Sequence, residues 1–162
     1  MTQTASAGAT TLTTPSDVEV IVTRVVDAPR RLVFAAHTDP AHVPHWLLGP
    51  DGWTMPICTI DLRPGGEWHY VWRKSDGSEM EMRGVYQEIV PPERVVSTEL
   101  WGGDWPETIT TLLLSEENGK TTITQQVRYP SKAARDAALK TGMLEGMSLG
   151  YDRLDAYLQT LV

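Results

Sequence analysis

Residues 131–162 read SKAARDAALKTGMLEGMSLGYDRLDAYLQTLV, a stretch without proline. Pro130 closes whatever precedes it, and Ser131 is a good helix N-cap. A helix from there to Val162 would span about 46 Å at the α-helical rise. Leu144, Met147, Tyr151, Leu154, Leu158 and Leu161 recur at spacings of three and four. That is one apolar stripe turned toward one partner. Gly142, Gly146 and Gly150 recur every four residues within it, and each costs about 1 kcal/mol relative to alanine in a helix interior. Two readings of that cost remain open: close approach of a partner backbone, or space left between helix and partner.

The partner is upstream. From Trp53 onward the texture is period-two, with strands expected at Trp53–Leu62, Glu67–Arg73, Met80–Val90, Arg94–Trp101, Glu107–Ser115 and Thr121–Tyr129. Pro64-Gly65-Gly66, Asp76-Gly77, Pro91-Pro92, Gly102-Gly103 and Asn118-Gly119 separate them as turns. Links this short join antiparallel neighbours. Before them, DVEVIVTRVVD (17–27) is rich in β-branched residues and reads as a first strand. Pro29 and RRLVFAAH then suit a helix of about two turns. Asp39-Pro40 starts a second, which Pro44 keeps short. The expectation is an α+β fold: a seven-stranded curved antiparallel sheet, two short helices after strand 1, and a long C-terminal helix on one face. Residues 1–16, MTQTASAGATTLTTPS, read as a flexible tail, and 17–162 as a single domain.

The chain has 162 residues, 41% of them hydrophobic and 22% charged, which suits one globular domain rather than a disordered or membrane-spanning chain. A net charge of −7 argues against nucleic acid and against anionic membrane as partners. The first sixteen residues lack the basic start and apolar core of a secretory signal, so the expected location is cytoplasmic. Cys58 is the single cysteine, which excludes an intrachain disulfide. His42 and His45, with His37 or Asp39, approach a zinc-like set, but Pro44 spoils their helical projection and no metal is expected. Neither a nucleophile elbow nor a phosphate loop occurs, so no cofactor is expected.

Six of the twelve aromatic residues are Trp. Trp68, Tyr70 and Trp72 alternate onto one face of their strand. Met80, Met82 and Tyr86 do so on the next, and Ile123, Gln125, Val127 and Tyr129 on the last. Such a wall suits either an ordinary core or an apolar pocket with a few polar handles. In the pocket reading Trp68, Trp72, Met80, Met82, Met143 and Met147 supply apolar wall, while Glu99 and Gln125 orient a polar group of the ligand. Trp46 and Trp53 form part of a movable mouth. For Glu99 the plain alternative is a salt bridge at the rim with Arg94 or Arg63.

An ordered set of short motifs adds a resemblance: Asp27-Ala28-Pro29, Thr38-Asp39-Pro40 with Trp46, Gly49-Pro50, Asp61-Leu62-Arg63-Pro64-Gly65-Gly66, Gly84 with Tyr86 and Glu88, Pro91-Pro92-Glu93-Arg94, Thr98-Glu99, and Gly142-Met143 with Glu145-Gly146. Together, from Val18 to Leu161, they resemble the SRPBCC (START-like) superfamily, in the branch similar to activators of the heat-shock-protein-ninety ATPase. The resemblance implies a helix-grip fold, a sheet curled around the C-terminal helix with an apolar cavity between. It implies three functions: binding a hydrophobic small molecule such as a lipid or polyketide, cyclase or hydrolase chemistry on such a molecule, or a stress-response role on a chaperone. The sequence favours the binding module over the enzyme. It leaves open a homodimer through an edge strand or the long helix.

Overall fold

The computed structural model describes residues 3–162. In chain order the elements are β1 (Thr4–Ala7), β2 (Thr10–Thr13), β3 (Glu19–Val26), α1 (Arg30–Thr38), a 3₁₀ turn (Val43–His45), β4 (Trp53–Ile60), β5 (Glu67–Lys74), β6 (Glu79–Val90), β7 (Arg94–Trp101), β8 (Thr108–Glu117), β9 (Lys120–Arg128), α2 (Lys132–Leu139) and α3 (Met143–Gln159). All strands join one antiparallel sheet in the order β1-β2-β3-β9-β8-β7-β6-β5-β4. The α+β helix-grip expectation holds, with α1 and the 3₁₀ turn as the two short helices after the strand that begins the expected domain.

Turn chemistry sets the register. Glu117 pairs with Lys120 across Asn118-Gly119, whose φ values of 54° and 76° are those of a tight hairpin turn. Val20, Val22, Ile123, Val127, Leu112 and Leu114 therefore all reach the inner face, each under 9% exposed. Gly84 shows how tightly that face is assembled. A Cβ there would stand 1.9 Å from the Thr98 carbonyl oxygen and 2.6 Å from the Trp68 ring, so the missing side chain is the seat of the indole.

Two expectations are corrected. The sheet has nine strands rather than seven, because the stretch read as a flexible tail forms the β1–β2 hairpin and pairs with β3; Met1 and Thr2 lie outside the described residues. Thr10 and Thr14 are fully buried and Leu12 nearly so. The segment offers one large apolar residue, and its stability comes from backbone pairing and from contacts remote in sequence. Ser148 of α3 donates to the Ala7 carbonyl at 2.7 Å, and Arg24 of β3 to Thr10 Oγ1 at 3.2 Å.

The second correction is the terminal rod. Ser131 caps α2 as expected, its Oγ accepting from the Ala134 amide at 3.1 Å. The helix then stops at Leu139 and restarts at Met143. Gly142 has φ +79°, a left-handed conformation that no L-residue in an α-helix adopts. Of the three spaced glycines, one is thus a hinge between two helices and only Gly146 and Gly150 are helical. The 17-residue α3 is about 25 Å long. It packs closely on β1, β2, β3, α1, α2 and the 3₁₀ turn.

Candidate functional site

β7 carries the chemistry. Val95, Ser97, Glu99 and Trp101 alternate onto its inner face, and Glu99 pairs in register with Thr108 of β8. The Glu99 carboxylate accepts from Trp101 Nε1 at 3.2 Å and from Thr110 Oγ1 at 3.1 Å. Burial pushes this carboxyl above the ordinary carboxylate range, and the two hydrogen bonds pull it partly back. The expected rim salt bridge does not form: Arg94 pairs with Glu88 and Arg63 with Asp61. The alternation that points Glu99 inward turns Arg94 away from it.

Around Glu99 stand hydroxyls. Tyr70 and Tyr86 are under 8% exposed, and neither hydroxyl has a hydrogen-bond partner among the described residues. Burial raises both, and for Tyr70 the neighbouring Tyr86, Cys58 and Glu99 raise it further. Tyr129 is pushed up to about 12 by burial and then by the Glu99 charge, and its hydroxyl lies 3.9 Å from Met143 Sδ. Trp68 adds a buried indole N–H without a partner. A ladder of rings continues the wall. Trp68 and Tyr70 are 4.8 Å apart, Tyr70 and Trp72 5.9 Å, and Trp72 stacks on Trp101 at 5.5 Å.

Opposite lies one flank of α3. Met143, Gly146, Met147 and Gly150 follow helical spacing onto a common side. A Cβ added at Gly146 or Gly150 would meet no heavy atom within 4 Å, although Gly150 is itself buried. Space is therefore left beside these two glycines, on the helix side where Met143 touches Tyr129. Arg153, next along that flank, closes onto the loop after the 3₁₀ turn by donating to the Gly49 carbonyl and to Asp51 Oδ1.

The remaining expected residues divide. Trp72 and Met82 are buried on the wall, and Trp72 Nε1 donates to the Leu47 carbonyl at 2.7 Å. Met147 is half-buried against the core. Gln125 is held by Tyr151, whose hydroxyl donates to Gln125 Oε1 at 3.2 Å. Met80 is 45% exposed; it sits opposite Trp72 beside the turn of the β5–β6 hairpin. Trp46 is 3% exposed, donates to the Ala36 carbonyl at 2.9 Å and stacks on Tyr151. It is a fixed part of the core rather than a movable mouth. Trp53 is half-buried under the Lys74 ammonium. Tyr70, Tyr86 and Tyr129 belong to the expected wall without an expected ligand contact, and Trp101 and Thr110 are additions to it. The signal for Trp101 was period-two spacing from Glu99.

The other reactive groups are engaged or muted. Burial first, then Asp39, raises the Cys58 thiol to about 11, which leaves it inert. His69 pairs with Glu81 on the outer face. His42 bonds the Tyr157 hydroxyl and His45 stacks on the Tyr157 ring. No group of three or more His, Cys, Asp or Glu with metal-holding geometry occurs among the described residues. Two open surface depressions, one from Thr59 to Glu67 and one between Arg24 and Asp155, contain none of the expected site residues. No helix among the described residues is long and apolar enough to cross a membrane.

Comparison with known proteins agrees with this architecture. A crystal structure of a protein from Rhodobacter sphaeroides superposes with a TM-score of 0.90 at 30% identity, covering 94% of this chain and 99% of that one. The protein NE0264 from Nitrosomonas europaea shares the fold at a TM-score of 0.80 and 22% identity, over 91% and 97% of the two chains. DynU16, from the dynemicin biosynthetic locus, matches at a TM-score of 0.68 and 23% identity, over 90% of this chain and 48% of that longer one. No curated protein matches. The family profile of the Activator of Hsp90 ATPase homolog 1-like proteins matches residues 27–159. With a sheet gripping α3 and that match over most of its length, the chain belongs to the AHSA1 family, the Activator of Hsp90 ATPase homolog 1-like proteins of SRPBCC-type fold.

Proposed function

We propose that this protein binds a hydrophobic small molecule between α3 and the β5–β8 half of the sheet. One observation carries the reading: Trp68 Nε1, a buried donor without a protein partner, stands in an aromatic wall with the unbonded Tyr70 and Tyr86 hydroxyls, and on α3 open space is left beside Gly146 and Gly150. Unpaired buried donors cost about 1–3 kcal/mol each, a cost that a ligand acceptor would remove. The rings supply apolar contact, and the hydroxyls fix orientation.

Naphthylmethanol tests this by quenching of Trp fluorescence and by calorimetry. Saturable one-to-one binding is expected. Gly150→Leu and Gly146→Leu, which fill the space with a side chain, should weaken it about tenfold or more while the thermal midpoint holds. Absence of a saturable response from naphthyl, flavonoid and long-chain alcohol probes would overturn the reading.

An acid/base enzyme is the second reading, and Glu99 is what favours it. A carboxyl raised by burial beside two free phenols has the make-up of a proton donor. A chaperone-docking surface has less support. The exposed apolar residues Val25, Val85 and Ile109 have Thr122, Glu67 and Arg128 as cross-strand neighbours, which interrupts the apolar surface at these three positions.

A further inference from the structure

The half-buried Glu99 carboxylate has no counter-ion among the described residues. Both Glu99 oxygens are met by neutral donors, and Glu99 forms no salt bridge among the described residues. The two buried arginines are committed elsewhere, Arg24 to Asp152 and Thr10, and Arg135 to Asp136 and the Ser16 carbonyl. An indole N–H only donates, so Trp101 fixes Oε1 as an acceptor. Each oxygen keeps lone-pair capacity beyond its single hydrogen bond. Trp101, which bonds the carboxylate, stacks on Trp72, and indole is the ring type whose faces attract cations most strongly.

We propose that the Glu99 end of this site takes an organic cation, an amine whose ammonium pairs with the carboxylate while its apolar body lies against Trp72, Trp101 and Tyr70. This rests on the hydrophobic-ligand reading above and adds the charge of the ligand's polar end. A ligand ammonium supplies the counter-charge that the fold withholds, and the desolvated pair is stronger than the same pair in water. A fatty-acid carboxylate would instead meet a like charge. The net charge of −7 works in the same direction, drawing cations toward the molecule.

Three probes sharing one ring system test the inference near neutral pH and at fixed low salt: naphthylmethylamine as cation, naphthylmethanol as neutral isostere, and naphthoate as anion. Calorimetry on the wild type should show the amine binding about tenfold or more tighter than the alcohol, with naphthoate weakest. Glu99→Gln should bring the amine down to the alcohol's affinity in that same variant, abolishing the preference. Should Glu99→Gln fail to fold, Glu99→Asp, which withdraws the carboxylate by one methylene, must weaken the amine alone. An alcohol bound as tightly as the amine overturns the cation inference and leaves the hydrophobic-ligand reading standing. An amine preference that survives in Glu99→Gln overturns it as well, since surface charge then explains the preference. Binding of none of the three in the wild type overturns the cation inference, and the hydrophobic-ligand reading falls with it when the flavonoid and long-chain alcohol probes fail as well.

Discussion

His37 is an imidazole that the fold keeps neutral. Its Nδ1 stands 2.8 Å from the Val33 carbonyl, so that nitrogen carries the proton, and Nε2 is buried without a partner against the edge of Trp46. Burial lowers its pKa from 6.5 to about 4, and the bond to Val33 opposes the shift. The unfolded chain therefore binds the extra proton first as pH falls. Stability is whole above 6.5 and is lost progressively toward 4. The loss has an upper bound of about 3 kcal/mol. Urea midpoints of wild type and His37→Phe across that range check it, because the variant's curve should be flatter there. Glu99 has the opposite sign: its raised pKa removes stability as pH climbs from the ordinary carboxylate value, so the two groups titrate against each other.

At the scale of elements, α3 is where a glycine's meaning depends on its backbone. Gly146 is helical with open space beside it, so Gly146→Ala should raise stability by about 0.5–1 kcal/mol. Gly142 holds φ +79°, so Gly142→Ala should cost about 1 kcal/mol. Chemical denaturation of the pair measures the two signs, and equal signs would refute the assignment of Gly142 as a hinge. The regular spacing of 142, 146 and 150 hid this difference, because periodicity reports position and not φ. Strand faces were easier to read. Trp68, Tyr70 and Trp72 fell on one side because alternation needs only the strand to exist, and Asn118-Gly119 fixed where β8 turned. Met80 shared the right parity, but it stands beside the hairpin turn and stays 45% exposed. Glu99 pointed inward for the same reason of parity, whereas the identity of its donors needed the β7–β8 register.

For the whole molecule, the β1–β2 hairpin decides how much of the sheet α3 can cover. Its residues read as loose because Thr and Ala carry little apolar burial, and the contacts that hold them come from Arg24 and Ser148, far along the chain. Removal of residues 3–13 should leave Arg24 and Ser148 short of a partner each and discard the buried Leu12. We expect a loss of at least about 3 kcal/mol, read as a fall in urea midpoint. An unchanged midpoint would mean that the hairpin is an ornament on a self-sufficient domain. In the sheet, β3 and β9 separate the hairpin from β5–β8, so under the proposed function probe binding per folded molecule should persist.

The opposite margin of the sheet is β4, whose outer side no strand covers among the described residues. Its pairing with β5 slips between Thr54 and Ile57, and the slip contains Pro56, which has no amide hydrogen to offer. An incoming strand would find its row of donors interrupted halfway along. Edge-to-edge polymerisation is thereby blunted at the one margin where aromatic and β-branched side chains are concentrated, which protects the chain from fibril-like stacking at high concentration.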